Sequence, residues 1–298
     1  MNISSFLKKR IHYISLSAII LITILSQFSC ILDASDPLAP SASETILHQT
    51  LHSKIVGDDY DIYLRLPPNY QKDNGPYPVI FQLDPQWHFT VTTGLVSDFE
   101  KNKQSVPAIV VGIGYPYPSG DANPKGRNRD YTLPLVNKAY PLSAEGGAVN
   151  FYQFIKKELI PFLELNYSIA GPEHRAIIGH SYGGLFVLYA LSQYDLSSPC
   201  ISSFLAASPS IWYGDGAIYN YLLSLTSKYA DIPAKLYMSV GDLEDIYMTG
   251  NFDTLSKYIR STSYKDFQYK FEKFHADHVG TVNPSYENGI KFLLEHGL

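Results

Sequence analysis

The sequence predicts an α/β fold with a mostly parallel central sheet, and two observations support that prediction. Short apolar runs alternate along the chain with longer segments whose apolar residues recur at helical spacing. Continuous apolar runs are typical of strands buried on both faces, as they are in a parallel sheet covered by helices. With 298 residues, of which 45% are apolar and 17% charged, the chain is large enough to enclose such a sheet.

The strands and helices can be placed in chain order. Residues 44–54 and 59–67 alternate polar and apolar side chains, which predicts an antiparallel hairpin at the start of the domain. Buried strands are predicted at 78–84, 107–115, 174–181, 202–208 and 234–241, and a last strand contains Tyr269 and Phe271. Helices are predicted at 148–167, with a kink at Pro161, and at 182–194, 215–229, 252–262 and 284–297.

The N-terminal segment has the pattern of an export signal. Basic residues at 8–10 precede a mostly apolar stretch without acidic residues, and small residues lead to Cys30. We therefore predict a signal peptide over 1–29, a flexible tether over 30–43 and a folded domain over 44–298. The end of the stretch resembles a bacterial lipoprotein signal, which implies a lipid on the Cys30 thiol and a place in the cell envelope. A retained membrane-spanning anchor is the alternative.

Composition excludes several functional classes. The net charge is −5 and the chain has no stripe of Lys and Arg, whereas nucleic-acid binding requires a basic surface. The two cysteines, Cys30 and Cys200, can form at most one bridge and cannot form a Cys-rich metal site. We therefore expect no nucleic-acid partner, no metal and no organic cofactor.

The strongest chemical signal is the pentapeptide 179–183, Gly-His-Ser-Tyr-Gly, which Gly184 follows. It lies where a predicted strand passes into a predicted helix, which is the context of a nucleophile elbow in the α/β-hydrolase fold. The serine of such an elbow sits on a sharp turn, where glycine neighbours leave room for the backbone. The motif predicts Ser181 as a nucleophile and the Tyr182 N–H as one donor of an oxyanion hole. A glycine-rich loop without a catalytic role is the alternative.

A serine hydroxyl needs a base, and in this fold the base follows the last strand. Among the nine histidines, His275 and His278 lie between the last predicted strand and the last predicted helix. His275 continues the alternation of that strand, whereas His278 lies in the loop that leads to Gly280. We therefore predict His278 as the base, with His275 as the alternative.

The base needs an acidic partner, which this fold places after the strand that precedes the histidine. Here that loop is 241–245, Gly-Asp-Leu-Glu-Asp. Spacing alone leaves Asp242, Glu244 and Asp245 open as the acid, and each could instead be a solvated loop acid or a helix cap.

The second donor of the oxyanion hole is expected in the loop that follows the strand at 78–84. That loop begins Asp84-Pro85-Gln86-Trp87. Because proline has no N–H, Gln86 or Trp87 is the predicted donor.

Residues 55–295 resemble the Putative esterase family of α/β-hydrolases, which includes siderophore esterases, feruloyl esterases, S-formylglutathione hydrolases and mycolyltransferases. The motifs that carry the resemblance are PVIFQLDPQWHF, GRNRDYTLP, GHSYGGLF, AASPSIWY and ADHVGTV. The tryptophan after the oxyanion strand and the RDYT motif are most similar to the siderophore-esterase branch. The resemblance implies Ser181 as nucleophile, His278 as base and Glu244 as acid, although some relatives in this branch resemble Ser-His dyads.

The resemblance also places Arg129 in a loop that borders the family's substrate cleft. A guanidinium there would clamp an anionic or catechol-bearing substrate. A salt bridge to the neighbouring Asp130, or a solvated side chain, is the alternative.

Together these features predict an exported serine esterase that acts on a small-molecule ester through an acyl-enzyme. An acyltransferase on the same scaffold would use the same residues, with an alcohol in place of water. A surface lipoprotein that binds a siderophore or glycan without turnover is the alternative from another class, but a binding module has no need of the full catalytic set.

Overall fold

A computed structural model describes residues 44–116, 124–134 and 146–295. The predicted signal peptide, the tether and Cys30 lie outside these ranges. Within them, no helix is both long enough and apolar enough to cross a membrane.

The centre of the molecule is an eight-stranded sheet with the order β1-β2-β4-β3-β5-β6-β7-β8. Strands β1 and β2 form the predicted antiparallel hairpin, β2 pairs antiparallel with β4, and every pair from β4 to β8 is parallel. The strands are β1 (Thr45–Ser53), β2 (Asp58–Leu66), β3 (Val79–Leu83), β4 (Ile109–Gly114), β5 (Arg175–His180), β6 (Ser203–Ala207), β7 (Lys235–Gly241) and β8 (Gln268–Phe274).

Helices cover both faces of the sheet, as the continuous apolar strands require. They are α1 (Pro85–Lys101), α2 (Pro124–Tyr131), α3 (Ala148–Phe154), α4 (Ile160–Asn166), α5 (Tyr182–Ser192), α6 (Tyr213–Gly216), α7 (Ile218–Lys228), α8 (Ile246–Arg260) and α9 (Val282–Glu295). Helices α1 and α9 pack on one face and share a core with β3 to β7. Helix α5 lies on the other face, against α2, α3 and α7. The two cores hold the carboxyl ends of β3, β5, β7 and β8 at one edge, where parallel α/β sheets bind ligands.

The predicted helix over 148–167 is interrupted next to its proline, as expected. Between α3 and α4 the chain forms a π turn, Ile155–Leu159, and Pro161 follows in the first turn of α4. A proline ring clashes with the carbonyl four residues earlier and supplies no N–H, so the wider turn accommodates it.

Two segments interpreted as loops are helical. Residues 85–87, expected to belong to an oxyanion loop, are the first turn of α1, and the GRNRDY segment lies in α2. Proline is favoured at the first position of a helix because its missing N–H has no partner there in any case. The loop after β3 is therefore reduced to Asp84, and the helix predicted from residue 215 begins only at Ile218.

Candidate active site

The elbow between β5 and α5 has the geometry that its sequence predicts. Ser181 adopts φ 60° and ψ −120°, a strained conformation for a residue with a side chain. Its amide donates to the carbonyl of Ala207 at 3.0 Å, which ties the turn to β6. A Cβ on Gly179 would lie 2.6 Å from the backbone of Gly183, so the turn requires glycine there. This strain and these contacts hold the Ser181 hydroxyl at the edge of the sheet.

A carboxylate–histidine pair lies at the same edge of the sheet. The Nδ1 atom of His278 is 2.6 Å from Oε2 of Glu244, and the Glu244 side chain is only 2% exposed. The other carboxylate oxygen accepts hydrogen bonds from the amide of Gly241, at 2.7 Å, and from the hydroxyl of Ser208. Burial acts to raise the pKa of Glu244, but these hydrogen bonds outweigh it and lower the pKa. Glu244 is therefore held as a carboxylate.

A second histidine supports the first. The ring of His180, just before the nucleophile, lies 4.4 Å from the ring of His278, and its Nε2 is 2.8 Å from the backbone oxygen of His278. Burial and the neighbouring histidines lower the pKa of His180 to about 3. His180 is consequently neutral, and its Nε2 can donate to the His278 carbonyl.

The alternative base and one alternative acid also form a hydrogen-bonded pair, but this pair lies outside the cavity. His275 Nδ1 lies 3.0 Å from Oδ1 of Asp242, and the two side chains are 82% and 46% exposed. The third acid of the loop, Asp245, caps α8 by accepting from the Met248 amide at 2.9 Å. Within the described residues, Glu244 is the one carboxylate of the three that contacts His278.

The two predicted oxyanion donors of the β3–α1 junction, Gln86 and Trp87, differ in whether their backbone N–H already has a hydrogen-bond partner. The Trp87 N–H donates to the carbonyl of Asp84 at 3.1 Å, within the first turn of α1. The Gln86 N–H has no hydrogen-bond partner within the described residues. Tyr182 is the first residue of α5, where the N–H groups point out of the helix. Of the pair Gln86 and Trp87, the N–H of Gln86 is therefore the better candidate donor, although neither residue is among those that line the cavity described below.

Sequence analysis did not identify Arg127 as a residue of this site. Its guanidinium forms a bidentate ion pair with the fully buried Asp84, with Nε–Oδ1 at 2.7 Å and Nη2–Oδ2 at 2.9 Å. The rings of Trp87, Tyr131 and Tyr182 surround it at 5.4 to 5.6 Å. Asp84 has φ 53°, so the ion pair stabilises a strained residue directly before the oxyanion donors. The arginine lies in a motif with two arginines, and nothing in the spacing distinguishes them.

Arg129, for which the sequence left a substrate clamp and a salt bridge open, forms ion pairs with two aspartates. Its Nε lies 2.6 Å from Oδ1 of Asp130, and its Nη1 lies 2.8 Å from Oδ2 of Asp58. The Tyr60 hydroxyl donates to the same Asp130 at 2.6 Å. Arg129 is not among the described residues that line the cavity described next. Its bond to Asp130 is the alternative given above, and its bond to Asp58 was not predicted.

Ser181, His278 and Glu244 line one cavity of about 980 Å³. The other residues that line it are Tyr182, Ser210, Trp212, Tyr213, Gly214, Asp215, Leu243, Asp245, Tyr247, Met248 and Asp277. The Ser181 hydroxyl lies 3.4 Å from the hydroxyl of Ser210. The cavity is therefore large enough for a sizeable organic molecule and has both aromatic and acidic walls.

Metal binding and thiol chemistry are two further possibilities for this protein. Across the described part of the chain, no group of three or more His, Cys, Asp or Glu side chains could hold a metal ion. Cys200 is a buried free thiol that lies 3.2 Å from the Tyr152 hydroxyl, and burial raises its pKa. A thiol with a raised pKa is a poor nucleophile.

Comparison with known proteins agrees with this architecture. The family model described as "Putative esterase" matches residues 53–282. Among curated relatives, the ferri-bacillibactin esterase BesA of Bacillus subtilis is 29% identical over 253 residues, which cover 79% of this chain and 84% of the relative. A siderophore enterobactin esterase of Emericella nidulans is 29% identical and covers 87% of this chain and 97% of the relative.

Solved structures share the fold. The crystal structure of the BES protein from Bacillus cereus superposes with a TM-score of 0.74 at 26% identity, over 86% of this chain and 97% of that chain. The siderophore hydrolase EstB from Aspergillus nidulans superposes with a TM-score of 0.73 at 23% identity, over 87% and 98% of the two chains. Together with the family match, they show an α/β-hydrolase fold.

Proposed function

Because the chain belongs to the Putative esterase family, we propose that it is a serine esterase that cleaves the ester bonds of a siderophore through an acyl-enzyme. One observation carries the assignment of the residues. Ser181, on its strained elbow, shares a cavity with a histidine whose Nδ1 is bound by a buried carboxylate at 2.6 Å. This combination of nucleophile, base and orienting acid supports the assignment of a catalytic triad.

The hydrogen bond to Glu244 determines which nitrogen of His278 acts. With Nδ1–H donated to the carboxylate, Nε2 has the lone pair that accepts the proton of the Ser181 hydroxyl. As Oγ attacks the ester carbonyl carbon, the carbonyl π electrons move to its oxygen and the proton passes to Nε2. Glu244 stabilises the imidazolium that forms.

The oxyanion is then held by the amides of Tyr182 and Gln86. When the tetrahedral intermediate collapses, the carbon–oxygen bond to the alcohol breaks and His278 returns its proton to the leaving alkoxide. A water molecule then attacks the acyl-enzyme and loses a proton to His278. The bond between the acyl carbon and the Ser181 Oγ breaks, His278 returns the proton to Oγ, and the acid leaves. Arg127 keeps the Asp84 turn in place, so the Gln86 amide is positioned before substrate binds.

The siderophore is inferred from the relatives. The curated relatives BesA and the Emericella enterobactin esterase are named for siderophore esters. A cavity of about 980 Å³ with aromatic walls is large enough to hold a siderophore ester.

The test combines turnover with product analysis. Purified protein is incubated with cyclic triester siderophores and with p-nitrophenyl acetate, and Ser181→Ala serves as the control. We expect stepwise release of linear acids from the siderophore, and mass labelling of Ser181 by an active-site phosphonate. Transfer of the acyl group to an added alcohol in preference to water would show an acyltransferase. Binding without turnover would show a ligand-binding protein.

We also propose that the chain is exported and anchored through a lipid on Cys30. The basic start and the apolar stretch that ends at Cys30 support this proposal. Membrane partition of the intact protein should be lost in Cys30→Ala, whereas Cys200→Ala should partition as wild type. Unchanged partition of Cys30→Ala would exclude the lipid anchor.

A further inference from the structure

The charged side chains that line the catalytic cavity are mainly carboxylates. Three exposed aspartates line it, Asp215, Asp245 and Asp277, and the catalytic Glu244 adds a fourth carboxylate. None of the described lining residues is Lys or Arg. At neutral pH the described wall is therefore anionic.

Within the described residues, the two arginines of α2 already form ion pairs. The guanidinium of Arg127 packs against the rings of Trp87 and Tyr182 and donates two hydrogen bonds to the buried carboxylate of Asp84. Arg129, for which both a substrate clamp and a salt bridge to Asp130 were open, forms ion pairs with Asp58 and Asp130.

Apart from the four carboxylates and Ser181, Ser210 and His278, the described lining residues are glycine, apolar or aromatic. Trp212, Tyr247 and Leu243 are exposed by 42%, 70% and 59% and line the same cavity as the three aspartates. Aromatic faces attract apolar or cationic groups and carry negative potential towards an anion. Asp215 adopts φ 55° and ψ 37°, the left-handed conformation that aspartate and asparagine tolerate better than other residues with a side chain.

We propose that this cavity selects esters that carry no net negative charge. Resting on the proposed siderophore esterase function, the inference names an uncharged ferric complex, such as a tris-hydroxamate triester, as the preferred substrate class over a trianionic ferric tris-catecholate triester. Each hydroxamate brings one negative charge to Fe³⁺ and each catecholate brings two, so the two complexes differ in charge while both contain ester bonds.

The size of the effect follows from Coulomb's law. A unit charge about 6 Å from an exposed carboxylate in water changes an equilibrium constant about threefold, so three carboxylates give at least about tenfold at low salt. Screening at 0.15 M salt reduces this factor, because the Debye length there is about 8 Å.

The experiment compares p-nitrophenyl hexanoate with the anionic mono-p-nitrophenyl adipate, each kcat/KM divided by the rate constant of that ester's hydroxide-catalysed hydrolysis. In wild type at low salt we expect the anionic ester to have a kcat/KM at least about tenfold below the neutral one, and the gap to narrow as salt is added. Equal normalised rates, or a faster anionic ester, would overturn the proposal.

Variants assign the effect to the wall. Asp215→Asn should raise the anionic-to-neutral ratio about threefold, because asparagine tolerates the left-handed conformation. The combined Asp215→Asn, Asp245→Asn and Asp277→Asn variant should raise it at least about tenfold, since asparagine retains capping ability. The matched control is Asp98→Asn, an exposed charge about 20 Å along α1 from Pro85, which should leave the ratio unchanged. A ratio that Asp215→Asn leaves unchanged, or that Asp98→Asn raises equally, would contradict the proposal.

The ferric triesters separate this inference from the function on which it rests. Faster cleavage of the uncharged complex supports both. Faster cleavage of the trianionic complex sinks the inference and leaves the siderophore esterase. If neither triester is cleaved while the p-nitrophenyl esters show the expected charge preference, the siderophore assignment fails and the charge selectivity of the cavity stands.

Discussion

Two carboxylate–histidine pairs connect the same two loops of this protein, and their surroundings differ. Glu244 and His278 meet at 2.6 Å with the carboxylate 2% exposed, whereas Asp242 and His275 meet at 3.0 Å with the carboxylate 46% exposed. An exposed ion pair contributes little because water competes for both groups. The pair beside the serine is held by Ser208 and the Gly241 amide, and it lines the cavity. Position and burial, more than the pairing itself, distinguish the proposed catalytic pair.

The largest effect should come from the nucleophile and the base. Ser181→Ala and His278→Gln should each lower kcat by about 10⁴-fold or more, because no other described residue of the cavity can replace either group. Steady-state hydrolysis of p-nitrophenyl acetate measures the loss, and circular dichroism checks the fold. If His278→Gln retains substantial activity and His275→Gln is inactive, the catalytic histidine is His275 and the assignment of the two pairs is wrong.

The acid should matter less, and only in the buried pair. Glu244→Gln should lower kcat about 10²- to 10⁴-fold at neutral pH, because the amide cannot stabilise the imidazolium. Asp242→Asn, the matched change in the exposed pair, should change kcat by less than about tenfold, and so should Asp245→Asn. If none of the three variants loses activity, the enzyme is a Ser181–His278 dyad. A large loss in Asp242→Asn would assign the acid to the exposed pair.

Burial should also appear in the pH dependence of stability. His180 is neutral in the folded protein, where its pKa is about 3, but takes up a proton below its ordinary pKa of 6.5 when unfolded. The unfolded state therefore binds more protons between these values, and stability falls as pH falls from 6.5 towards 3, by at most about 1.4 kcal/mol per pH unit.

Urea unfolding across this range measures that slope. His180→Gln should make it shallower, whereas His275→Gln, which removes an exposed histidine, should leave it as in wild type. Equal slopes in wild type and His180→Gln would mean that His180 is protonated in the folded protein.

The smallest effect should come from the buried thiol. Cys200→Ser should leave kcat for p-nitrophenyl acetate within about twofold, because Cys200 contacts Tyr152 and does not line the cavity. Folding is checked by circular dichroism on the same sample. Loss of activity in a folded Cys200→Ser protein would contradict the serine-only mechanism.

The elements that the sequence predicted well are those whose signal is local. Apolar runs and the Gly-His-Ser-Tyr-Gly motif indicated the parallel strands and the elbow, because burial on both faces and a tight turn each impose a pattern on neighbouring residues. The first turn of α1 was missed because Pro85 reads equally as a loop residue and as the first residue of a helix.

The arginines show where local pattern ends. Arg127 and Arg129 stand two positions apart in one motif, and both form ion pairs with aspartates. Their environments follow from elements distant in sequence: Asp84 directly follows β3, whereas Asp58 begins β2. No spacing within the motif contains that information.

By itself, the sequence determined the fold class, the elbow with Ser181 and the choice of a late histidine, because each depends on residues that are neighbours along the chain. Only the tertiary structure decided which acid contacts which histidine. Parallel pairing of β7 with β8 brings the two loops together, and the amide of Asp242 donates to the carbonyl of Phe274 at 2.8 Å. This register directs Glu244 inward to His278 and leaves Asp242 with His275 in solvent, a distinction that depends on burial across the sheet edge and not on spacing along the chain.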